Sequence, residues 1–234
     1  MNLFYTSEIN NDFHTLNEEE SKHCKKVLRL KNGDRIYLTN GVGGLFEAEI
    51  IDDLSKKIEL KIVETKHEFG KRDFKLHIAI APTKNINRFE WFLEKATEIG
   101  IDEITPILSN HSERKIIKEE RLNKVITSAM KQSLKAYHPI LNPFSSFNEF
   151  INKEFDSQKF IAHCEDVEKD NLKNIYSNGS DVLILIGPEG DFSIDEIEKA
   201  KNANFIPISL GESRLRTETA GIVACHTVNL INEK

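Results

Sequence analysis

Cysteine is scarce in this chain of 234 residues, and the three present, Cys24, Cys164 and Cys225, form no C-x-x-C pair and no cluster with histidine. That absence excludes a disulfide framework and gives no zinc-ligand spacing, so no metal is expected and the compartment is predicted to be reducing. The segment Met1-Asn2-Leu3-Phe4-Tyr5 lacks a basic stretch followed by a long apolar core, and no apolar run approaches a membrane span. A cytoplasmic protein is expected. Internal repeats and low-complexity tracts are missing, and no G-x-G-x-x-G follows a predicted strand, which argues against a dinucleotide-dependent enzyme.

An excess of positive charge is lacking too. The net charge of −6 argues against promiscuous nucleic-acid binding, because neutralising a phosphate backbone needs clustered lysine and arginine. Distribution matters more than the sum: Lys22, Lys25, Lys26, Arg29, Lys31 and Arg35 crowd one short stretch, and Arg114, Lys115 and Lys118 form a second cluster. Either set can build an RNA-facing surface or remain ordinary solvated charge.

Periodicity divides the chain in two. Residues 1–68 read as all-β: Arg35 to Leu38, Leu45 to Ile51 and Lys57 to Val63 alternate or run apolar between turn signals such as Asn40-Gly41, and a small barrel is their natural closure. A polar stretch from Lys66 to Asp73 reads as the linker. From residue 73 to 234 strands alternate with helices, the pattern of an α/β domain with a mainly parallel sheet. Strands are expected at Phe74 to Ala81, Glu103 to Ile107, Phe160 to His163, Val182 to Ile186 and Phe205 to Ser209. The helix Asn87 to Ile99 ends at Gly100, and a last helix runs from about Thr217 to Leu230.

Two segments carry the chemistry. Leu183-Ile184-Leu185-Ile186-Gly187-Pro188-Glu189-Gly190-Asp191-Phe192-Ser193 is an apolar run that ends in a glycine turn and opens a helix, as is Ser209-Leu210-Gly211-Glu212-Ser213-Arg214-Leu215-Arg216-Thr217-Glu218-Thr219-Ala220-Gly221. Two such strand ends can present backbone groups to one ligand, with glycine permitting close approach. Ser193 and Glu196 have capping-box spacing, with Phe192 and Ile197 as the hydrophobic staple.

These segments resemble the cofactor-binding signature of the RsmE family, SPOUT-class methyltransferases that modify N3 of a uridine in 16S rRNA of the small ribosomal subunit. The family pattern is close to G-P-E-G-G-[FL]-S followed by S-L-G-x-R-[IV]-L-R-T-E-T-A. Asp191 stands where the family usually has a second glycine, and Ser213-Arg214 where it has arginine and then an aliphatic residue. His23 through Leu30 resembles the family's N-terminal PUA-like RNA-binding domain, with Arg29 at its characteristic arginine. Thr83-Lys84 with the helix Arg88 to Gly100, and Ala129-Met130-Lys131-Gln132-Ser133, match further elements, so the likeness covers nearly the whole chain.

The resemblance implies a trefoil knot in the C-terminal domain, a homodimer, and S-adenosyl-L-methionine as cofactor. It carries cofactor contacts to Ile186, Gly187, Gly190, Leu210, Gly211, Leu215 and Arg216, and RNA contacts to Lys25, Lys26, Arg29, Lys84 and Arg88. For catalysis Arg216 is the expected stabiliser of charge on the uracil, with Glu218 or Glu189 as the base. Both acids have plainer readings: Glu189 as a turn carboxylate at a helix N-terminus, Glu218 as a complement to the dipole of a helix capped by Thr217 or Thr219. Lys95 and Glu98 can simply be a helix ion pair. Two other functions fit less well: a related knotted enzyme acting on tRNA or on a ribose 2′-OH, and a non-catalytic RNA-binding factor.

Overall fold

The computed structural model describes residues 2–9 and 12–233. By its internal contacts the chain forms two compact units, Met1–Lys71 with Met130–His138, and Arg72–Ala129 with Pro139–Lys234. Nothing in the sequence periodicity signals that residues 130–138 pack with the first unit.

In the first unit, β1 (Leu3–Tyr5) and β2 (Phe13–Thr15) flank a meander of β3 (Arg35–Thr39), β4 (Leu45–Asp52) and β5 (Glu59–Lys66), in the order β1-β3-β4-β5-β2. Alternation sends Ile36, Leu38, Ala48, Ile50 and Leu60 into one core with Phe4 and Leu16. The all-β reading of residues 1–68 needs one correction, because Glu18–His23 is a helix, α1, continued by a π-helical turn over Cys24–Leu28. The cause is local: Asn17 caps the backbone N–H of Glu20 at 2.9 Å, and Glu18, Glu19 and Glu20 favour the positive helix start. Cys24 is drawn fully into the core, and burial pushes its thiol pKa up to about 12.

The second unit begins with β6 (Leu76–Ile80), α2 (Ile86–Ile99) and β7 (Glu103–Leu108), followed by α3 (Glu119–Gln132), whose last residues belong to the first unit. Short elements β8 (Ile140–Leu141), β9 (Ser145–Ser146) and α4 (Phe147–Ile151) lead to β10 (Gln158–Ala162). Then come β11 (Asp170–Asn171), α5 (Leu172–Ile175), β12 (Val182–Ile186), α6 (Ile194–Asn202), β13 (Ile206–Ser209) and α7 (Thr217–Ile231). The sheet order is β11-β13-β10-β12-β6-β7-β8, with every recorded pair parallel.

The central strands β6 and β12 are buried along their whole length, as their unbroken apolar runs require when both sheet faces are covered. One face of the sheet, with Leu76, Ile78, Ile80, Val182 and Ile184, packs on Phe89 and Phe92 of α2 and on Ala224 and Val228 of α7. The other, with Ala79, Leu183 and Leu185, packs on Phe147 and Phe150 of α4 and on Ile197 and Ala200 of α6. The exception in β6 is His77, whose Nε2 lies 2.8 Å from the Thr105 hydroxyl and whose pKa burial lowers to about 4.

The chain does not continue outward after β13. It returns past β10 and β12, and α7 settles on β6 and α2. The contact is close: a Cβ on Gly221 would lie 2.6 Å from the Phe92 ring. Such doubling back departs from the usual order of connections and is the route of a knotted C-terminus.

Candidate cofactor cavity and the groups around it

Three neighbouring parallel strands, β13, β10 and β12, end on one side of the sheet, and the segments leaving them enclose a cavity of about 870 Å³. Ligands of open α/β sheets bind outside the carboxyl ends of the strands, and this volume suits a molecule of cofactor size.

Local chemistry shapes the turn after β12. Asp191 N–H donates to the Pro188 carbonyl at 3.0 Å, and Ser193 and Glu196 close the expected capping box: the Ser193 hydroxyl accepts Glu196 N–H at 3.3 Å and Glu196 Oε2 accepts Ser193 N–H at 2.9 Å. Phe192 and Ile197 share one buried cluster. Gly187 and Gly190 are closely packed: a Cβ would lie 3.1 Å from the Phe192 ring at the first and 3.0 Å from His111 Cβ at the second. Asp191 does need the unusual backbone, with φ at 62°. Aspartate is among the few residues that tolerate this region, so the turn keeps a glycine-like shape.

After β13, Gly211 N–H donates to the Ser209 hydroxyl at 3.1 Å, and Gly211 has φ of 133°. Arg216 is the N-cap of α7 and makes no side-chain capping bond, so neither Thr217 nor Thr219 caps that helix.

Ile186, Gly187, Gly190, Leu210, Gly211, Leu215 and Arg216 all line this one cavity, together with Glu189. Glu218 is not among the lining residues but follows Thr217, which is. It is buried, with Oε1 3.8 Å from Arg88 Nε and Oε2 without a hydrogen-bond partner. Glu189 Oε1 accepts the backbone N–H of Lys84 at 2.9 Å. The Lys84 ammonium pairs with Glu113 at 2.7 Å, which raises its pKa. Arg114 is committed to backbone, donating to the carbonyls of Thr83 at 2.9 Å and Lys84 at 2.5 Å. In the first unit Lys25 donates to the Ser55 carbonyl, while Lys26 and Arg29 are exposed.

The third wall, residues 162–167 with Lys169, escaped the sequence reading. Lys169 folds it by donating to the carbonyls of His163 at 2.8 Å and Glu165 at 2.6 Å. His163 is buried there with its Nε2 unpartnered. No motif marks this wall, because it is assembled by tertiary contacts; the terminal position of His163 on a predicted strand was its one signal.

The chain matches the RNA methyltransferase domain family over residues 71–229 and the RNA methyltransferase PUA domain family over residues 16–63. It is 32% identical over 213 residues to the ribosomal RNA small subunit methyltransferase E of Rickettsia conorii, covering 89% of this chain and 86% of that protein. A crystal structure described as a probable rRNA-methyltransferase from Porphyromonas gingivalis is 43% identical, with a TM-score of 0.91 over 98% of this chain and 99% of that one. A methyltransferase from Legionella pneumophila, solved in complex with the bound cofactor SAM, is 28% identical with a TM-score of 0.88 over 98% and 97% of the two chains. A parallel sheet with a returning C-terminal helix and a cavity at three strand ends, in a chain that also carries a PUA-like β unit, defines an RNA methyltransferase of the SPOUT class. Within that class, the chain belongs to the ribosomal RNA small subunit methyltransferase E (RsmE) family.

Proposed function

We propose that this chain methylates N3 of a uridine in 16S rRNA of the small ribosomal subunit, with S-adenosyl-L-methionine as methyl donor. The observation that carries this reading is the convergence of all seven cofactor candidates on one cavity, with Arg216 in its wall and the buried Glu218 two residues further along the chain. The donor set fits the cofactor: backbone groups of two glycine turns, a volume of about 870 Å³, and a buried His163 nitrogen that lacks a partner.

The bound cofactor supplies an electrophilic methyl group on a sulfonium. Ile186, Gly187, Gly190, Leu210, Gly211 and Leu215 hold it through backbone and apolar contact. Alignment of the two reactants supplies roughly 7–11 kcal/mol of the barrier. N3 of uracil is mostly protonated at neutral pH, so it must give its proton to a base as it takes the methyl group, whose bond to sulfur would break to leave a neutral thioether. Arg216 stabilises the charge that develops on the uracil oxygens. Glu218, buried with one carboxylate oxygen lacking a partner, and Glu189, which lines the cavity and accepts the backbone N–H of Lys84, are the two candidate bases. Residues 73–234 form the methyltransferase domain. Residues 1–68 serve as the RNA-binding domain through Lys25, Lys26 and Arg29, and Lys84 and Arg88 also contact the substrate. The active species is a cytoplasmic homodimer, in line with the family and with three free thiols.

The test is transfer of labelled methyl from S-adenosylmethionine to unmodified small subunits, with naked rRNA and tRNA in parallel. N3-methyluridine in 16S rRNA is expected; a different methylated nucleoside, or no transfer, would overturn the reading.

A further inference from the structure

Asp191 bridges two walls of the cavity. Its Oδ1 accepts the N–H of Phe192 at 2.8 Å within the β12 turn, and its Oδ2 accepts the N–H of Cys164 at 2.6 Å on the segment after β10. We propose that Asp191 is a positioning residue for the cofactor, tying the glycine turn after β12 to the 162–169 wall so that both hold one shape. The proposal rests on reading the cavity as the S-adenosylmethionine site.

Several observations converge on it. A glycine would satisfy the backbone at φ of 62°, but only a side chain with two acceptors can bind both amides, so aspartate adds a tether that glycine lacks. Both bonds are charge-assisted, the stronger kind. Lys169 pins the carbonyls of His163 and Glu165, and Asp191 pins the N–H of Cys164 between them, so the wall is held from both sides. Gly187 leaves the space the carboxylate uses, since a Cβ there would lie 3.3 Å from Asp191 Oδ1. Ser213 and Arg214 also line this cavity, so both departures from the family pattern fall at one site.

The experiment uses the full chain and two variants. Asp191→Asn keeps a residue that tolerates the left-handed backbone but places an amide donor against one of the two N–H groups. Asp191→Gly removes both acceptors and relaxes the backbone. The KM for S-adenosylmethionine should rise about tenfold in Asp191→Asn, as for loss of one charge-assisted hydrogen bond, and at least as much in Asp191→Gly, which loses two, while kcat at saturating cofactor stays within about twofold. Without cofactor, hydrogen exchange of the Cys164 amide should quicken in both variants. Unchanged cofactor KM in variants of an active parent would overturn the proposal alone, as would a fall in kcat without a change in KM. A parent chain that binds no S-adenosylmethionine would overturn the reading of the cavity as well. Faster Cys164 exchange together with the KM shift supports the tether even if one variant loses stability.

Discussion

Arg88 Nε lies 3.8 Å from Oε1 of the buried Glu218, and the other oxygen of that carboxylate meets no hydrogen-bond partner. A buried carboxylate left half-satisfied costs stability, and such groups cluster where chemistry needs them. The guanidinium faces one carboxylate oxygen, and the other is left without a protein partner. Glu218→Gln should therefore lower kcat by about 100-fold or more, the usual contribution of a general base, with cofactor affinity little changed. Single-turnover methyl transfer with separate cofactor titration is the check. Undiminished kcat would leave Glu218 as helix-terminal charge only.

Arg216 tests the electrostatic half of the mechanism. Arg216 is exposed and lines the cavity, so its guanidinium can reach a substrate bound there. Arg216→Ala should reduce methyl transfer by about 10²–10³-fold, the scale of removing one preorganised donor, and reduce cofactor affinity far less. Equal losses in both would mean that Arg216 chiefly builds the cofactor pocket.

The contrast between the two turns and the third wall shows where sequence reading works. β6 and β12 were legible because strands covered on both faces are apolar throughout, and the Ser193–Glu196 cap because its two bonds lie three residues apart. Residues 18–28 were not, since a short helix start followed by a π-helical turn leaves too few periods to show against neighbouring strands. The bond from Cys164 to Asp191 spans 27 positions, and that between Lys84 and Glu189 spans 105; no local pattern encodes either. The return of α7 onto β6 and α2 is equally silent, because amphipathicity records that a face is buried and says nothing of what buries it.

That return is held by a tight fit, and Gly221 tests it. A methyl group there meets the Phe92 ring at 2.6 Å and Ile80 Cδ1 at 3.1 Å, both in the fully buried layer between α7 and the sheet. Gly221→Ala should destabilise the fold by about 1–3 kcal/mol despite the better helix propensity of alanine, because overpacking outweighs that gain. Urea unfolding of the parent and variant decides it, and equal stability would show that Phe92 has room to move.

The basic stretch of the first unit makes a prediction about salt. Of the three candidate RNA contacts there, Lys25 is engaged with the Ser55 carbonyl, while Lys26 and Arg29 are exposed, the latter held at φ of 57° by the end of the π-helical turn. If each contacts one phosphate of single-stranded RNA, neutralising it should flatten the salt dependence of binding by roughly 0.7 units of slope. Filter binding to the rRNA substrate across a salt series measures this for Lys26→Gln and Arg29→Gln. An unchanged slope would return that residue to ordinary surface.

His77 sets a pH dependence of stability that is separable from catalysis. Desolvation lowers its pKa from 6.5 to about 4, partly opposed by Glu103, whose Oε1 lies 3.8 Å from Nδ1, and reinforced by Lys153. Above about pH 6.5 the imidazole is neutral in both folded and unfolded chains and its titration contributes nothing to the difference. Between about 6.5 and 4 the unfolded chain takes up a proton that the folded one refuses, so stability falls as the pH falls. Below about 4 both forms are protonated and the loss levels off, at about 3 kcal/mol for a shift of this size. Burial also lowers the pKa of the half-buried His14 and of the buried His163, which act in the same direction, so the parent curve alone does not isolate His77. His77→Gln keeps a polar group for the Thr105 hydroxyl and removes the titration. Its unfolding free energy should decline less steeply than the parent's between pH 7 and 4; parallel curves would show that the ring is solvated in the folded protein and that its burial carries no proton linkage.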